Sequence, residues 1–325
     1  MAEFVLVTGA TGLVGGALVR HFAEEGRAVL ASVRNVERGR ALFGGMRNVE
    51  IVEWDVTKPG GPRFVAREGA RGHVSSAEWI VHAAAETATR NFVERPVETI
   101  ASILDGTRNV LEFARAAGIG SMVYVSSMEV YGTPSAETVT EADIGYLDPV
   151  RLRSNYPEAK RMAENLCVAY ASEYGVPVKI ARLAQTFGEG VRAVDNRVYS
   201  QFARAILEGR DIVLKTDGSA SRCYCAVSDA VAAIALLLEK GANATPYTVA
   251  NEETFCSVRE MAERLIAAHP ESGSRLVFDV TEEAARAYPP AARLKLDSSR
   301  LRALGWAPKV GLAEMFSRMM EGMRG

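Results

Sequence analysis

Short apolar blocks alternate with stretches of helical periodicity along the first half of the chain. FVLV at 4–7, AVLASV at 28–33, VEIVE at 49–53, WIVH at 79–82 and MVYV at 122–125 read as strands, and 13–22 and 107–117 as helices between them. Alternation of this kind requires right-handed crossovers and predicts a parallel sheet covered by helices on both faces. The later chain is less regular. Strands are expected at 178–182, 212–214 and 247–250, and helices at 199–208, 228–238, 258–268 and 312–320. The fold class is α/β: a doubly wound parallel sheet with a smaller mixed α/β domain.

The first turn sharpens this reading. Thr8 leads into TGATGLVG, with glycines at 9, 12 and 15 ahead of an apolar helix. Gly9 lets the chain leave the strand, Gly12 leaves space for a pyrophosphate, and Gly15 lets the helix press against the sheet. With Thr11 and Leu13 they form a candidate dinucleotide cradle, where the helix amides meet phosphate. At the end of the second strand an acid normally grips the adenosine ribose of NAD, but here Val33 is followed by Arg34. A cation there pairs with the 2'-phosphate of NADP or lies over adenine, so the expected cofactor is NADP or NAD with NADP slightly preferred. A plain surface arginine, like Arg38 and Arg40 nearby, is the competing reading. Asp55 is placed to accept from the adenine amino group, with Val56 on the ring. Ala83, Ala84 and Ala85 supply small side chains where backbone approaches the cofactor, and His82 reads as a structural hydrogen-bonder rather than a proton shuttle.

Composition excludes several alternatives. The chain has 325 residues, 48% hydrophobic and 24% charged, with a formal net charge of -2, which does not favour a nucleic-acid partner. No apolar run is long enough to span a bilayer and no basic leader precedes the first strand, so no membrane association and a cytoplasmic location are expected. Cys167, Cys223, Cys225 and Cys256 do not make a disulfide framework. With histidines at 21, 73, 82 and 269 they offer no clear tetrahedral set, and no metal is expected.

Candidate chemistry gathers between 126 and 160. MVYV runs into SSMEVYG, placing Ser126, Ser127 and Glu129 at the sheet's carboxyl edge, with Ser127 and Glu129 on one side if the strand stays extended. Further on, SNYPEAK sets Tyr156 and Lys160 four apart on one helix face, with Asn155 and Glu158 spaced as a capping box. Lys160 and a cofactor cation would stabilise a phenolate, making Tyr156 a base near neutral pH, while Ser127 holds the same substrate oxygen.

TGATGLVG, DV at 55–56, HAAA at 82–85, GTRNVLEFARAAGI from 106, SSMEVYG, YPEAK, VSDAVAAI at 227–234, YTVAN at 247–251 and LGWAP at 304–308 together resemble the extended short-chain dehydrogenase/reductases. The resemblance is to the NAD(P)-dependent nucleotide-sugar epimerase, dehydratase and decarboxylase group, and it covers essentially the whole chain. It implies a Rossmann-like NAD(P)-binding domain over 1–182 and a mainly substrate-binding domain over 183–325, with segments near 247–251 returning to the main sheet. It also implies Tyr156, Lys160, Ser127 and Glu129 as catalytic residues, and Thr87, Ser127, Gln185, Arg192 and Arg222 as substrate contacts. Arg222 is the arginine that family members direct at the diphosphate, with Arg192 and Arg197 as further candidates. A homodimer follows from the family's habit of pairing two long helices, here over 100–117 and 161–174, where apolar stripes exceed what one sheet face needs.

Three departures bear on the reaction. Gln185 replaces the family's substrate-facing asparagine, Ile103 an asparagine before the GT of the fifth helix, and Met128 the aspartic acid of the 4,6-dehydratases. A thioether donates no proton. The shared chemistry is transient oxidation of a sugar hydroxyl, expected at carbon four. A nucleotide-sugar epimerase leads, and a nucleotide-hexuronic acid decarboxylase is the alternative, with a dehydratase or an NADPH-dependent carbonyl reductase behind both.

Overall fold

A computed structural model of the chain describes residues 4–65, 71–74, 77–280 and 292–324. In chain order the strands of the first half are β1 Phe4–Thr8, β2 Ala28–Val33, β3 Val49–Glu53, β4 Arg63–Val65, β5 Arg71–His73, β6 Trp79–His82 and β7 Ser121–Ser127. The second half adds β8 Val178–Leu183, β9 Gln185–Phe187, β10 Ile212–Leu214, β11 Ser221–Ala226, β12 Pro246–Val249, β13 Asn251–Ser257, β14 Leu276–Phe278 and β15 Arg293–Leu294. The helices are α1 Leu13–Glu24, α2 Val36–Phe43, α3 Asn91–Glu94, α4 Pro96–Ala117, α5 Asn155–Tyr174, α6 Val198–Leu207, α7 Val227–Lys240, α8 Val258–Ala268, α9 Ser299–Arg302 and α10 Leu312–Arg324.

Nine strands form one Rossmann-like sheet in the order β12-β8-β7-β6-β1-β2-β3-β4-β5. Pairing is parallel from β12 to β3, and β4 and β5 extend the edge antiparallel. The apolar blocks are unbroken because both faces are covered. Val5 and Val7 join a core with Leu18 and Val19 of α1 and Ile234 of α7, whereas Leu6 between them joins Val110 of α4 and Ala163 of α5. From β1 the chain winds outward one way through β2 and β3 and then the other way from β6. The crevice where the order reverses lies beyond the ends of β1 and β6, and ligands of open α/β sheets bind at such a point.

A smaller sheet begins almost where the main one stops. Only Ala184 separates β8 from β9, and β9 pairs in parallel with β11, which also pairs β15 in parallel and β13 antiparallel. Tyr224 faces a third core with Phe187, Tyr199, Met261, Phe316 and Met319, while Cys223 and Cys225 point into the core of α1 and α7.

Local geometry departs from the sequence reading in several places. α4 begins at Pro96, where proline suits a first turn, and so starts well before residue 107. α2 has too polar a face to be seen by periodicity, and the Asn35 side chain caps it by accepting from the Arg38 amide at 2.9 Å. Ser127 accepts from the Glu129 amide at 3.2 Å and opens a 3-10 turn over Met128–Tyr131, so the strand does not stay extended through Glu129. The capping box at 155 and 158 is absent. A 3-10 turn, Leu152–Ser154, runs directly into α5, so Asn155 is already helical, and its amide donates to the carbonyls of Phe92 and Leu152, each at 2.5 Å. Among the described residues no helix is long and apolar enough to cross a membrane.

Candidate active site

The spacing of the three glycines is set by Gly9. Its φ is +68°, and a Cβ there would lie 2.8 Å from the backbone of Ala83 and Ala84, so a side chain would push the HAAA segment away. The Gly9 carbonyl accepts from the Gly12 amide at 2.9 Å, and a Cβ on Gly15 would come within 2.2 Å of that same oxygen. Gly15 thus packs against the turn itself, not against the sheet as the sequence reading had it. Gly12 caps α1 with extended backbone, without a side-chain cap, and no acid stands in the helix's first turn. A Cβ on Gly12 would meet only the Gly9 carbonyl, at 3.2 Å. An uncapped helix start beneath open backbone suits a dinucleotide phosphate by its own chemistry.

The rim of this cradle is cationic. Arg34 is exposed beside it, and Arg38 of α2 donates to the Thr11 carbonyl at 3.3 Å, which ties a second guanidinium to the glycine turn. Asp55 accepts from the amide and hydroxyl of Thr57 at 3.1 and 2.8 Å. Val56 is buried with its methyl against Gly106, and its carbonyl accepts from Asn109 at 2.8 Å. His82 shares hydrogen bonds with Thr8, 2.8 Å away, and Thr107, 3.3 Å away. Burial, and then the Lys160 charge, pulls it down to about 3, so it is a neutral pin between the ends of β1 and β6.

Tyr156 lies buried in the first turn of α5, its ring stacked on Phe92 with centroids 4.4 Å apart and planes 18° apart. Burial and then the Glu129 charge push its phenol above the usual range, against the opposing pull of the Ser127 hydroxyl, Arg153 and Arg197. Lys160 turns to the end of β7, donating to the Val125 carbonyl at 2.8 Å with its Nζ 4.6 Å from the centre of the Tyr124 ring. Burial draws it down to about 8, against the Glu164 carboxylate, which pushes it up.

Glu129 stands in the 3-10 turn, gripped by Arg153 through two hydrogen bonds of 3.1 and 3.3 Å, and the two side chains are about one-third exposed. The Arg153 guanidinium lies 4.6 Å from the centre of the Phe92 ring, so Phe92 spans Tyr156 and the ion pair. Sequence reasoning missed Phe92, whose signal was a lone aromatic just past HAAA.

The expected substrate contacts divide. Arg197 is held by Asp195 through bonds of 2.6 to 3.1 Å, and its charge pulls weakly against the rise of the Tyr156 phenol. Arg192 and Thr87 are exposed on loops. Gln185 opposes Tyr224 in register, and both the Gln185 Oε1 and the Tyr224 hydroxyl are buried without a hydrogen-bond partner. Arg222, two residues before Tyr224 on β11, is partly buried and acts on that phenol.

A dinucleotide cradle at a sheet reversal, with a buried tyrosine and lysine one helical turn apart beside it, defines a pyridine-nucleotide oxidoreductase of the extended short-chain type. The chain belongs to the NAD dependent epimerase/dehydratase family, whose model matches residues 5–251. It is an enzyme of NAD(P)-dependent sugar-nucleotide chemistry. It is 29% identical to UDP-glucuronic acid decarboxylase 6 of Arabidopsis thaliana over 330 residues, 98% of this chain and 88% of the relative. Its fold is similar to that of a UDP-glucose 4-epimerase from Thermotoga maritima, with TM-score 0.80 and 22% identity over 99% of each chain. A dTDP-glucose 4,6-dehydratase double mutant from Streptomyces venezuelae, solved with NAD and DAU bound, gives TM-score 0.79 and 25% identity over 98% of this chain and 96% of that one.

Proposed function

We propose that the protein decarboxylates a nucleotide-linked hexuronic acid through transient oxidation at carbon four. The observation that carries this is the Glu129–Arg153 pair beside Tyr156, with Arg197 facing the same phenol. An epimerase, which led the sequence reading, closes its proton cycle through Tyr156 and has no use for a compensated carboxylate. A decarboxylase needs a cation for the incoming uronate and an acid to protonate the carbon that loses carbon dioxide. Likeness to UDP-glucuronic acid decarboxylases over nearly the whole chain supports the same choice, and Met128, buried in the core, leaves no acid at the dehydratase position.

Gly9, Gly12, Gly15 and the first amides of α1 would hold the cofactor diphosphate, with Asp55, Val56 and Ala83 to Ala85 around the adenosine half. When bound, the nicotinamide supplies a reversible acceptor for the hydride of carbon four. Tyr156 takes the hydroxyl proton of that carbon, and Ser127 steadies the oxygen as it becomes a carbonyl. The bond from carbon five to the carboxylate then breaks, and its electron pair moves toward the carbonyl as an enolate. A proton delivered by Glu129 or its water closes carbon five, and Tyr156 returns its proton to the oxygen. The balance is uronate plus one proton giving pentose and carbon dioxide. Arg153 and Arg197 draw in the carboxylate, while residues 183–325, including Gln185, Arg192 and Arg222, carry most of the nucleotide side.

The test incubates the purified protein separately with UDP-glucuronic acid and with UDP-glucose. Loss of carbon dioxide from the first, reduced about 100-fold in Glu129→Gln while cofactor reduction persists, is expected. Inverted stereochemistry at unchanged mass from the second would return the reading to an epimerase.

A further inference from the structure

Arg161 of α5, the residue after Lys160, engages all three nitrogens of its guanidinium. Its Nε donates to the Val130 carbonyl at 2.8 Å and its Nη2 to the Gly145 carbonyl at 2.7 Å, while Nη1 lies 3.6 Å from the Glu158 carboxylate. Val130 belongs to the 3-10 turn that Ser127 opens and that carries Glu129, and Gly145 to the segment that leads on to Arg153. Those two stretches are also joined to each other. The Gly145 amide donates to the Tyr131 carbonyl at 2.8 Å and the Thr133 amide to the Tyr146 carbonyl at 3.0 Å. Gly132 closes the turn at φ +62°, and a Cβ there would lie 2.6 Å from the Tyr146 carbonyl oxygen and 3.0 Å from Nη2 of Arg161, so the guanidinium is packed tightly over the turn.

This fork joins elements whose relative placement the chemistry needs. Tyr156 and Lys160 stand on α5, whereas Ser127 and Glu129 stand on the turn after β7. Arg153 reaches the turn through the Glu129 side chain, where both partners are about one-third exposed and an incoming carboxylate competes for the guanidinium. Arg161 grips main chain instead, and its side chain is only 24% exposed, so the turn is held independently of that contact. A planar guanidinium reaches both carbonyls at once in fixed directions, which a lysine ammonium on a flexible stem does not. A shift of the turn by about 1 Å would part Ser127 from the oxygen that Tyr156 deprotonates, a displacement that costs on the order of 100-fold in rate.

We propose that Arg161 is a positioning residue of this enzyme: by bonding the carbonyls of Val130 and Gly145 from α5, it fixes the Ser127–Glu129 turn against Tyr156. The role rests on transient oxidation at Tyr156 and holds for a decarboxylase or an epimerase alike. The test compares wild type with Arg161→Met, which keeps the stem and loses the fork, and Arg161→Lys, which keeps the charge. Each full chain is loaded with NADP and with NAD, and reduction of the nicotinamide is followed by absorbance after mixing with UDP-glucuronic acid and, separately, with UDP-glucose. Amide exchange is measured by mass spectrometry over 128–132, with 49–53 of β3 as the control. In Arg161→Met the reduction rate at saturating sugar nucleotide should fall roughly 10- to 100-fold while KM and cofactor affinity change less than about twofold. Exchange should quicken over 128–132 and stay unchanged in β3. Arg161→Lys should fall between the two, and it carries the same comparison if Arg161→Met fails to fold. The exchange measurement needs no substrate, so failure of the decarboxylase reading leaves it standing. Unchanged exchange over 128–132, or a lowered melting temperature with an unmoved reduction rate, would overturn the proposal.

Discussion

Tyr156 sits where burial and Glu129 keep its phenol protonated, so the site depends on incoming positive charge to make it a base. Tyr156→Phe keeps the ring stacked on Phe92 and removes only the hydroxyl. Cofactor affinity should change less than about twofold in a binding titration, while turnover falls by roughly 10² to 10⁴. Equal turnover would put the active site elsewhere. At the opposite end of the crevice, Arg34 and Arg38 flank the glycine turn with no acid at Val33, and we propose that NADP binds at least as well as NAD. A tenfold advantage for NAD by titration, about 1.4 kcal/mol, would assign the two arginines to the surface. Tyr156, Lys160 and Ser127 were legible because their spacing is local. Phe92, Asp195 and the relation of Arg153 and Arg197 to Tyr156 were not, since these come from elements that meet only in three dimensions.

Among the elements, α4 and α5 pack along each other on one face of the sheet and still leave apolar side chains outward. Val97 is 73% exposed and Met162 53%, with Ile100 and Val168 less so. Two helices with a second apolar stripe suit an isologous four-helix contact, and we propose a homodimer through it. Sedimentation at micromolar concentration should give a dimer, and Val97→Asp/Met162→Lys a folded monomer. A monomeric wild type would contradict it. The strands were readable from unbroken apolar blocks because a sheet covered on both faces needs them. The polar helix α2 lacked that signature, and the 3-10 turn after Ser127 was invisible because a side chain, not a periodic pattern, creates it.

For the molecule as a whole, one buried histidine contributes to the response to acid below neutral pH. His82 titrates near 6.5 in the unfolded chain and at about 3 when folded. Its contribution to stability is therefore complete above pH 6.5 and is lost as pH falls from there toward 3, because the unfolded chain takes up the proton first, at about 1.4 kcal/mol per pH unit. Melting curves at pH 7 and pH 5 should show a smaller acid loss in His82→Gln than in wild type, and equal losses would remove His82 as the cause. The sheet, its reversal at β1 and the smaller sheet joined through Ala184 bring the cradle and Tyr156 to one crevice, and the central claim concerns what reacts there. It is tested most directly by incubating the protein with UDP-glucuronic acid carrying ¹³C in the carboxyl group and deuterium at carbon four. The account predicts labelled carbon dioxide and a pentose nucleotide that keeps its deuterium, since the hydride leaves and returns within one turnover. Unlabelled gas, or deuterium found at an inverted carbon four in an intact uronate, would contradict it.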